Sequence, residues 1–196
     1  MVDEDVQHLS EVRYPDITIE LKLSDRFANI VEEGFDLAIR AGALKDSSLI
    51  ARKLASSHIV YCATPEYLRE HGRPQHPDDL TDHSCIVDSN FEGRTLWPFM
   101  ENGEKITVAV QGPITVNSAI ACRKLALRGF GIMQTPYYMV AKEIAANRLI
   151  PILQNFDVFN SGLYAVYPHS KHLPIKNRVF VGFLVGHFAK TDIEFG

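Results

Sequence analysis

From Ile17 to Leu23 apolar residues alternate with Thr18, Glu20 and Lys22, a period of two that predicts a strand with one buried face. Ser24-Asp25 stops it and offers a short oxygen side chain to cap a helix. Phe27, Ile30 and Val31 then recur at helical spacing through RFANIVEEG, and Gly34 supplies the left-handed end. Phe35 to Ile39 is mostly apolar, as a strand covered on both faces is. Strand, helix, strand predicts a right-handed βαβ unit with parallel strands. Its carboxyl edge, where open parallel sheets bind ligands, would be Ser24-Asp25 and Arg40-Ala41-Gly42.

The pattern elsewhere is read in the same way. Residues 4–13 carry Val6, Leu9 and Val12 or Arg13 along one side of a short helix, which Tyr14-Pro15 breaks. GALKDSS is a loop. Leu49 to Ala63 is β-like, with a bend or break at Ser56-Ser57-His58. Thr64-Pro65 opens a helix closed by Gly72, and HPDDLTDH is a helical turn before a short strand, Cys85 to Val87. Asn102-Gly103 between two β-like runs predicts a hairpin. Gln111-Gly112-Pro113 is read as a turn before a strand, Ile114 to Val116. Asn117-Ser118 caps an apolar helix, Ala119 to Arg128, with Gly129 at its end. Phe130 to Met133 is a buried strand, and Pro136 opens a helix to about Ala146. This is a second βαβ unit, with Val116-Asn117-Ser118 and Gln134-Thr135-Pro136 at its edge. Leu163 to Tyr167 is a strand. Pro174 begins a last helix with apolar rows Ile175, Val179, Phe183 and Phe180, Leu184, Phe188. Two lobes with a cleft between them are expected, crossed near 62–66 and 162–168.

Composition narrows the function. The chain has 196 residues, 46% of them hydrophobic, enough for one domain or two small lobes. A net charge of −4 argues against a nucleic-acid surface built by this chain alone. Cys62, Cys85 and Cys122 are far apart and without a CxxC, which favours buried reduced thiols. The acidic start has no basic-then-apolar leader pattern, and no stretch approaches the roughly 18 apolar residues of a membrane span. A cytoplasmic chain without a membrane partner is expected.

Chemical motifs are sparse. GxSxG, GxxxxGK[ST] and HExxH are absent. Gly129-Phe130-Gly131 follows a helix and is no dinucleotide fingerprint. His169 and His172 sit in a Pro-flanked loop without a third ligand, so no metal is assigned. Glu32-Glu33 and Asp78-Asp79 read as solvated charge, and His83-Ser84-Cys85 as a loop-to-strand junction. No catalytic residue and no cofactor is assigned. Arg40 stands out, because a cation ending an apolar strand needs a partner. That partner is either a salt bridge or an anionic ligand held by the guanidinium fork.

YPDITIEL, GFDLAIRAG followed by SSLIARKL, TPEYLREHGRPQHPDDLTDHSCI and TVNSAIACRKLALRGFGIMQTPYYMV together resemble the effector-binding (substrate-binding) domain of LysR-type transcriptional regulators, CrgA-like members among them. The resemblance runs over almost the whole chain. It implies an α/β fold of two Rossmann-like lobes with a central cleft, like type 2 periplasmic binding proteins. The lobes would be 1–63 with 167–196, and 64–166. It implies a small-molecule effector in the cleft, an anionic metabolite being one candidate. It also implies homodimers, tetramers in the full-length protein, and DNA contact only through an N-terminal winged helix-turn-helix.

That winged helix-turn-helix has no counterpart in this sequence, nor has the strand that precedes the opening helix in the family. This chain by itself is therefore expected not to bind DNA specifically, and one wall of its pocket is expected to be missing. Carried over residue by residue, the pocket would use Ser24, Arg40, Ala41 and Thr64, then Val116, Asn117 and Ser118, with Ile132, Thr135 and Pro136 opposite. The helices near 4–13 and 119–128 would contact a partner copy. Two other readings are a free-standing solute-binding protein of the same fold and a small enzyme. The second has no nucleophile–base pair to support it.

Overall fold

A computed structural model of the chain describes residues 18–24, 29–41, 49–91, 93–156, 160–169 and 174–190. In chain order the strands are β1 (Ala38–Ala41), β2 (Leu49–Ala63), β3 (Ser84–Asp88), β4 (Leu96–Glu101), β5 (Glu104–Ala109), β6 (Gln111–Val116), β7 (Ile132–Pro136), β8 (Ile150–Ile152) and β9 (Asn160–Pro168). The α-helices are α1 (Pro65–His71), α2 (Ala119–Ala126), α3 (Ala141–Ala145) and α4 (Ile175–Lys190). Short 3-10 segments cover Pro77–Asp82, Tyr137–Met139 and Gln154–Phe156.

β2 connects the two halves of the sheet. Its first part pairs antiparallel with β9 as far as His58↔Asn160. From Ile59 it pairs with β7 instead, and Tyr61 to Ala63 also pair with β8. The expected interruption at Ser56-Ser57-His58 is thus a change of partner within one continuous strand, reinforced by a register shift at Lys53/Ala55. The strand order is β1-β9-β2-β7-β3-β6, with β8 off that path.

The second βαβ unit forms with one addition and one shift: its last strand, expected from Phe130 to Met133, is β7, and Phe130 lies before it, 48% exposed. β6 and β7 are both parallel to β3, which lies between them. α2 crosses over one face, burying Cys122 and Ala126 against Val60, Cys62, Ile86 and Met133. The glycine after α2 takes φ +75, and its N–H bonds Ala126 O at 2.8 Å. β6 begins at Gln111 rather than Ile114. The helix expected from Pro136 is broken into the 3-10 turn and the short α3. β7 runs through Pro136, and the helical path that follows is interrupted at Val140, whose φ −130 and ψ 3 lie outside helical geometry.

Alternation on β2 assigns its faces. Val60 and Cys62 face α2, while Ile59, Tyr61 and Ala63 face the β4–β5 hairpin. The hairpin turns on Asn102 (φ 51) and Gly103 (φ 83), the paired left-handed conformations an Asn-Gly turn requires. Trp97 and Phe99 are fully buried. The Tyr61 ring stacks on Phe99 at 4.4 Å, and its hydroxyl donates to Pro98 O. Burying Phe99 alone contributes about 1.5–3 kcal/mol. On the other half of the sheet, α4 lays Val181, Leu184 and Phe188 on Leu54, Ala165 and Tyr167. Of the two apolar rows expected on α4, the one starting at Ile175 begins exposed, and the buried stripe runs from Asn177 through Val181 and Leu184 to Phe188.

The first βαβ unit does not appear in the described residues. β1 pairs antiparallel with β9, from Ala38↔Val166 to Ala41↔Leu163. Residues 18–24 have no ladder, and Leu21 and Leu23 are 47% and 78% exposed. The alternation that marks a strand only specifies which face would be buried by a neighbour; no described strand lies beside this segment. Gly34 does close a turn at φ +72, and Phe35 N–H bonds Ile30 O at 2.9 Å over a buried Ile30. The helix expected at 4–13, and part of the helix expected after Ser24, lie outside the described residues.

Candidate functional site

Strand registers decide which of the expected site residues meet. β1 and β2 run the same way on either side of β9, so Ala41 lies opposite Leu163, which lies opposite Ala55. β7 runs the other way, so Pro136 lies opposite Ile59 and Thr135 opposite Val60. The carboxyl ends of β1 and β7 therefore approach the same stretch of β2 from opposite directions. Along β2 their levels differ by four residues, or roughly 13 Å. This stretch is also where β2 changes partner.

β3 and β6 extend the β7 edge. Asp88 pairs with Val116, and Ser89 N–H bonds Val116 O at 2.8 Å. Asn117 and Ser118 follow at the same edge, and Cys122 N–H bonds Ser118 O at 2.9 Å as α2 begins. The Ser118 side chain makes no cap hydrogen bond, so its hydroxyl is not committed to the helix. Thr135 is 1% exposed, and its Oγ1 has no hydrogen-bond partner. The His58 ring stacks on Tyr137 at 4.9 Å, joining β2 to the residue after Pro136.

The structure brings Val116, Asn117, Ser118, Thr135 and Pro136 together at one edge, with Arg40 and Ala41 approaching from the β1 side. It does not bring three others. Thr64 follows the carboxyl end of β2, which is antiparallel to β7, so it lies at the opposite edge of the sheet. There it is 5% exposed and caps α1, accepting from Tyr67 N–H at 3.2 Å. Ile132 starts β7, three residues from Thr135, and is fully buried in the core under the hairpin. Ser24 is exposed in the irregular segment.

The same edge also holds Asp88, Asn90 and His58, which the sequence did not single out as pocket candidates. Asp88 is a buried carboxylate at the centre of the β6–β3–β7 edge, and its Oδ1 accepts from Asn90 N–H at 3.0 Å. The signal was present: an acidic residue directly ending the apolar run Cys85 to Val87, followed by Ser89-Asn90.

Other polar groups have structural roles. His76 and Asp79 form a capping box on the 3-10 turn at Pro77–Asp82. Asp79, expected as solvated charge, accepts from the Gln75 and His76 N–H groups at 2.8 and 2.9 Å, which holds its carboxyl below the usual range. His76 Nε2 lies 2.7 Å from Glu101, and that hydrogen bond raises the imidazole's affinity for a proton. Burial lowers that of His83. Cys62, Cys85 and Cys122 are free and buried. Burial pushes each thiol up to about 12, so none is a poised nucleophile. Among the described residues no cluster of His, Cys, Asp and Glu could hold a metal. A hollow of about 570 Å³ lined by Thr81 to Ser84, Gln111 and Gly112 lies at the amino ends of β3 and β6. It is wide open, and it is at the edge opposite Asp88, Ser118 and Thr135. Among the described residues no helix is long and apolar enough to cross a membrane.

A sequence-family model for the LysR substrate binding domain matches residues 10–189. The chain is 32% identical over 193 residues to the HTH-type transcriptional regulator PtxR of Pseudomonas aeruginosa, covering 95% of this chain and 62% of PtxR. It spans 57–62% of the length of three such curated relatives, all transcriptional regulators rather than enzymes. It is similar to the regulatory domain of CrgA, a LysR-type transcriptional regulator from Neisseria meningitidis, with TM-score 0.81 and 32% identity over 96% of this chain and 92% of that one. It is also similar to full-length AphB, the Vibrio cholerae virulence activator, with TM-score 0.80 and 27% identity over 96% of this chain and 64% of AphB.

Proposed function

This chain belongs to the LysR substrate-binding domain family, and from that premise we propose that it senses a small-molecule effector for a longer transcriptional regulator. The effector would bind between two lobes, residues 1–63 with 167–196 and residues 64–166, at the edge formed by Val116 to Ser118, Thr135 and Pro136, with Arg40 and Ala41 opposite. The observation that carries this reading is the convergence of the β1 and β7 carboxyl ends on the partner-changing stretch of β2. A strand shared by two half-sheets is a natural hinge: a ligand held from both sides favours one angle between them. A coupling of about 1–3 kcal/mol is typical of such switches.

An anionic metabolite suits Arg40, whose guanidinium can hold a carboxylate. A homodimer suits Ile120, in the first turn of α2, and Phe130, four residues beyond its end, which are 49% and 48% exposed. In the longer protein such dimers would pair into tetramers and reach DNA through a separate domain, in the cytoplasm.

A thermal-shift screen with small aliphatic and aromatic carboxylates and their amides tests the reading, since a ligand selective for the native state raises the melting temperature. Some members are expected to stabilise the wild type, and Arg40→Ala and Ser118→Ala to reduce that response while still folding. Equal responses in all three proteins would show that the effector binds elsewhere.

A further inference from the structure

Among the described residues three buried side-chain atoms lack any hydrogen-bond partner: Asn90 Nδ2, Arg123 Nε and Thr135 Oγ1. Arg123 is otherwise engaged, donating through Nη1 to Met139 O at 3.0 Å and lying near Glu143. The other two belong to one edge of the sheet. Ile86 lies opposite Met133 in the parallel β3–β7 pair, which carries Asp88 to the level of Thr135. Asn90 follows Asp88 by two residues.

The turn that presents Asn90 is tightly held. Ser89 N–H bonds Val116 O at 2.8 Å, Asn90 N–H bonds Asp88 Oδ1 at 3.0 Å, and Phe91 N–H bonds Asp88 O at 3.2 Å. Three hydrogen bonds fix this backbone, yet the amide donor it carries is left buried and unmet. A buried polar group without a partner destabilises the fold. Two such groups at one strand edge are explained if the protein keeps them for a partner that is not part of the chain.

We propose that Asn90 is a specificity-determining residue of the effector site. Its side-chain N–H and the Thr135 hydroxyl receive an acceptor oxygen of the effector, a carboxylate or carbonyl, and Asp88 is the positioning residue that holds the Asn90 turn. This rests on the effector-binding reading and adds to it a residue, a donor geometry and a chemical requirement on the ligand.

The test compares Asn90→Leu, Asn90→Ala and Thr135→Val with wild type, first without ligand and then with the carboxylates and amides that stabilise the wild type, starting from benzoate, succinate, benzamide and succinamide. Without ligand, Thr135→Val and at least one Asn90 variant should melt at or above the wild-type temperature, because each removes an unmet polar group. A lower melting temperature for Thr135→Val and for both Asn90 variants would mean that these groups are paired in the free protein, and would overturn the proposal. With ligand, affinity should fall about tenfold per lost hydrogen bond. Unchanged affinity in the Asn90 and Thr135 variants, with loss in Ser118→Ala, would overturn the proposal and leave the effector reading standing. If no compound stabilises the wild type, the effector reading fails and the proposal with it.

Discussion

The β6–α2–β7 unit and the segment from Thr18 to Ala41 have similar hydrophobic patterns and different outcomes. In the first, β3 lies between β6 and β7, and α2 covers the face they share. In the second, residues 18–24 have no ladder and β1 turns to β9. The difference teaches that periodicity reports which face of a strand can be buried, while a neighbouring strand decides whether it is. β3 supplies that neighbour to the second unit, and its close fit is visible in two glycines. A Cβ on Gly112 would lie 1.9 Å from Cys85 O, and one on Gly131 would lie 2.3 Å from Ser84 O.

The largest break in this comparison comes from Gly112→Ala or Gly131→Ala. Both force the backbone beside β3 apart, and either should cost about 3 kcal/mol or more by urea denaturation. A loss below 1 kcal/mol would mean that β3 is not clamped as described. Next, Ile30→Ala should cost about 2–4 kcal/mol, since Ile30 is buried beneath the turn. Leu23→Ser, at an exposed position in the same region, should change stability by no more than about 0.5 kcal/mol. Equal effects of the two would show that residues 18–24 are packed after all. Thr64→Ala should cost about 1 kcal/mol as a lost helix cap and leave ligand response intact. Thr135→Val should do the reverse.

Smaller effects depend on pH. The folded His76 pKa is raised by its hydrogen bond to Glu101, with Asp78 and Asp79 adding to the attraction. Its contribution is therefore fully present below the unfolded value, near 6.5, and fades as pH rises through the folded value. His83 has the opposite sign. Its lowered pKa favours the fold above the unfolded value, and that support is lost as pH falls through the folded one. Stability curves of Glu101→Gln should lose most of the His76 component, leaving the part due to Asp78 and Asp79, and keep that of His83. A curve unchanged between pH 5 and 8, roughly the histidine range, would remove His76 from the account. Thiol reagents should reach Cys62, Cys85 and Cys122 only at the rate of unfolding, as expected of buried thiols pushed to about 12.

Most elements were legible in the sequence because their signals are local. Thr64-Pro65 with Gly72 marks α1, Asn102-Gly103 marks the hairpin, and Asn117-Ser118 with Gly129 marks α2. Pairing was less legible. Nothing in Leu49 to Ala63 says that one strand serves β9 and then β7, and nothing local places Thr64 at the edge away from Thr135. The placement of the expected pocket residues was legible only in part, for the same reason. Residues ending parallel strands could be named from their position, whereas Thr64 and Ile132 needed the sheet's direction. Asp88 and Asn90 were overlooked because an Asp-Ser-Asn run after a strand looks like an ordinary polar turn. Only its burial and the unmet amide distinguish it.

The most direct test of the central claim is amide hydrogen exchange on the chain, with and without a stabilising carboxylate or amide. Protection should rise at 40–41, 55–60, 88–90, 116–118 and 135, the strand ends that converge on the middle of β2. Protection confined instead to 81–84 and 111–112, around the hollow at the opposite edge, would contradict it.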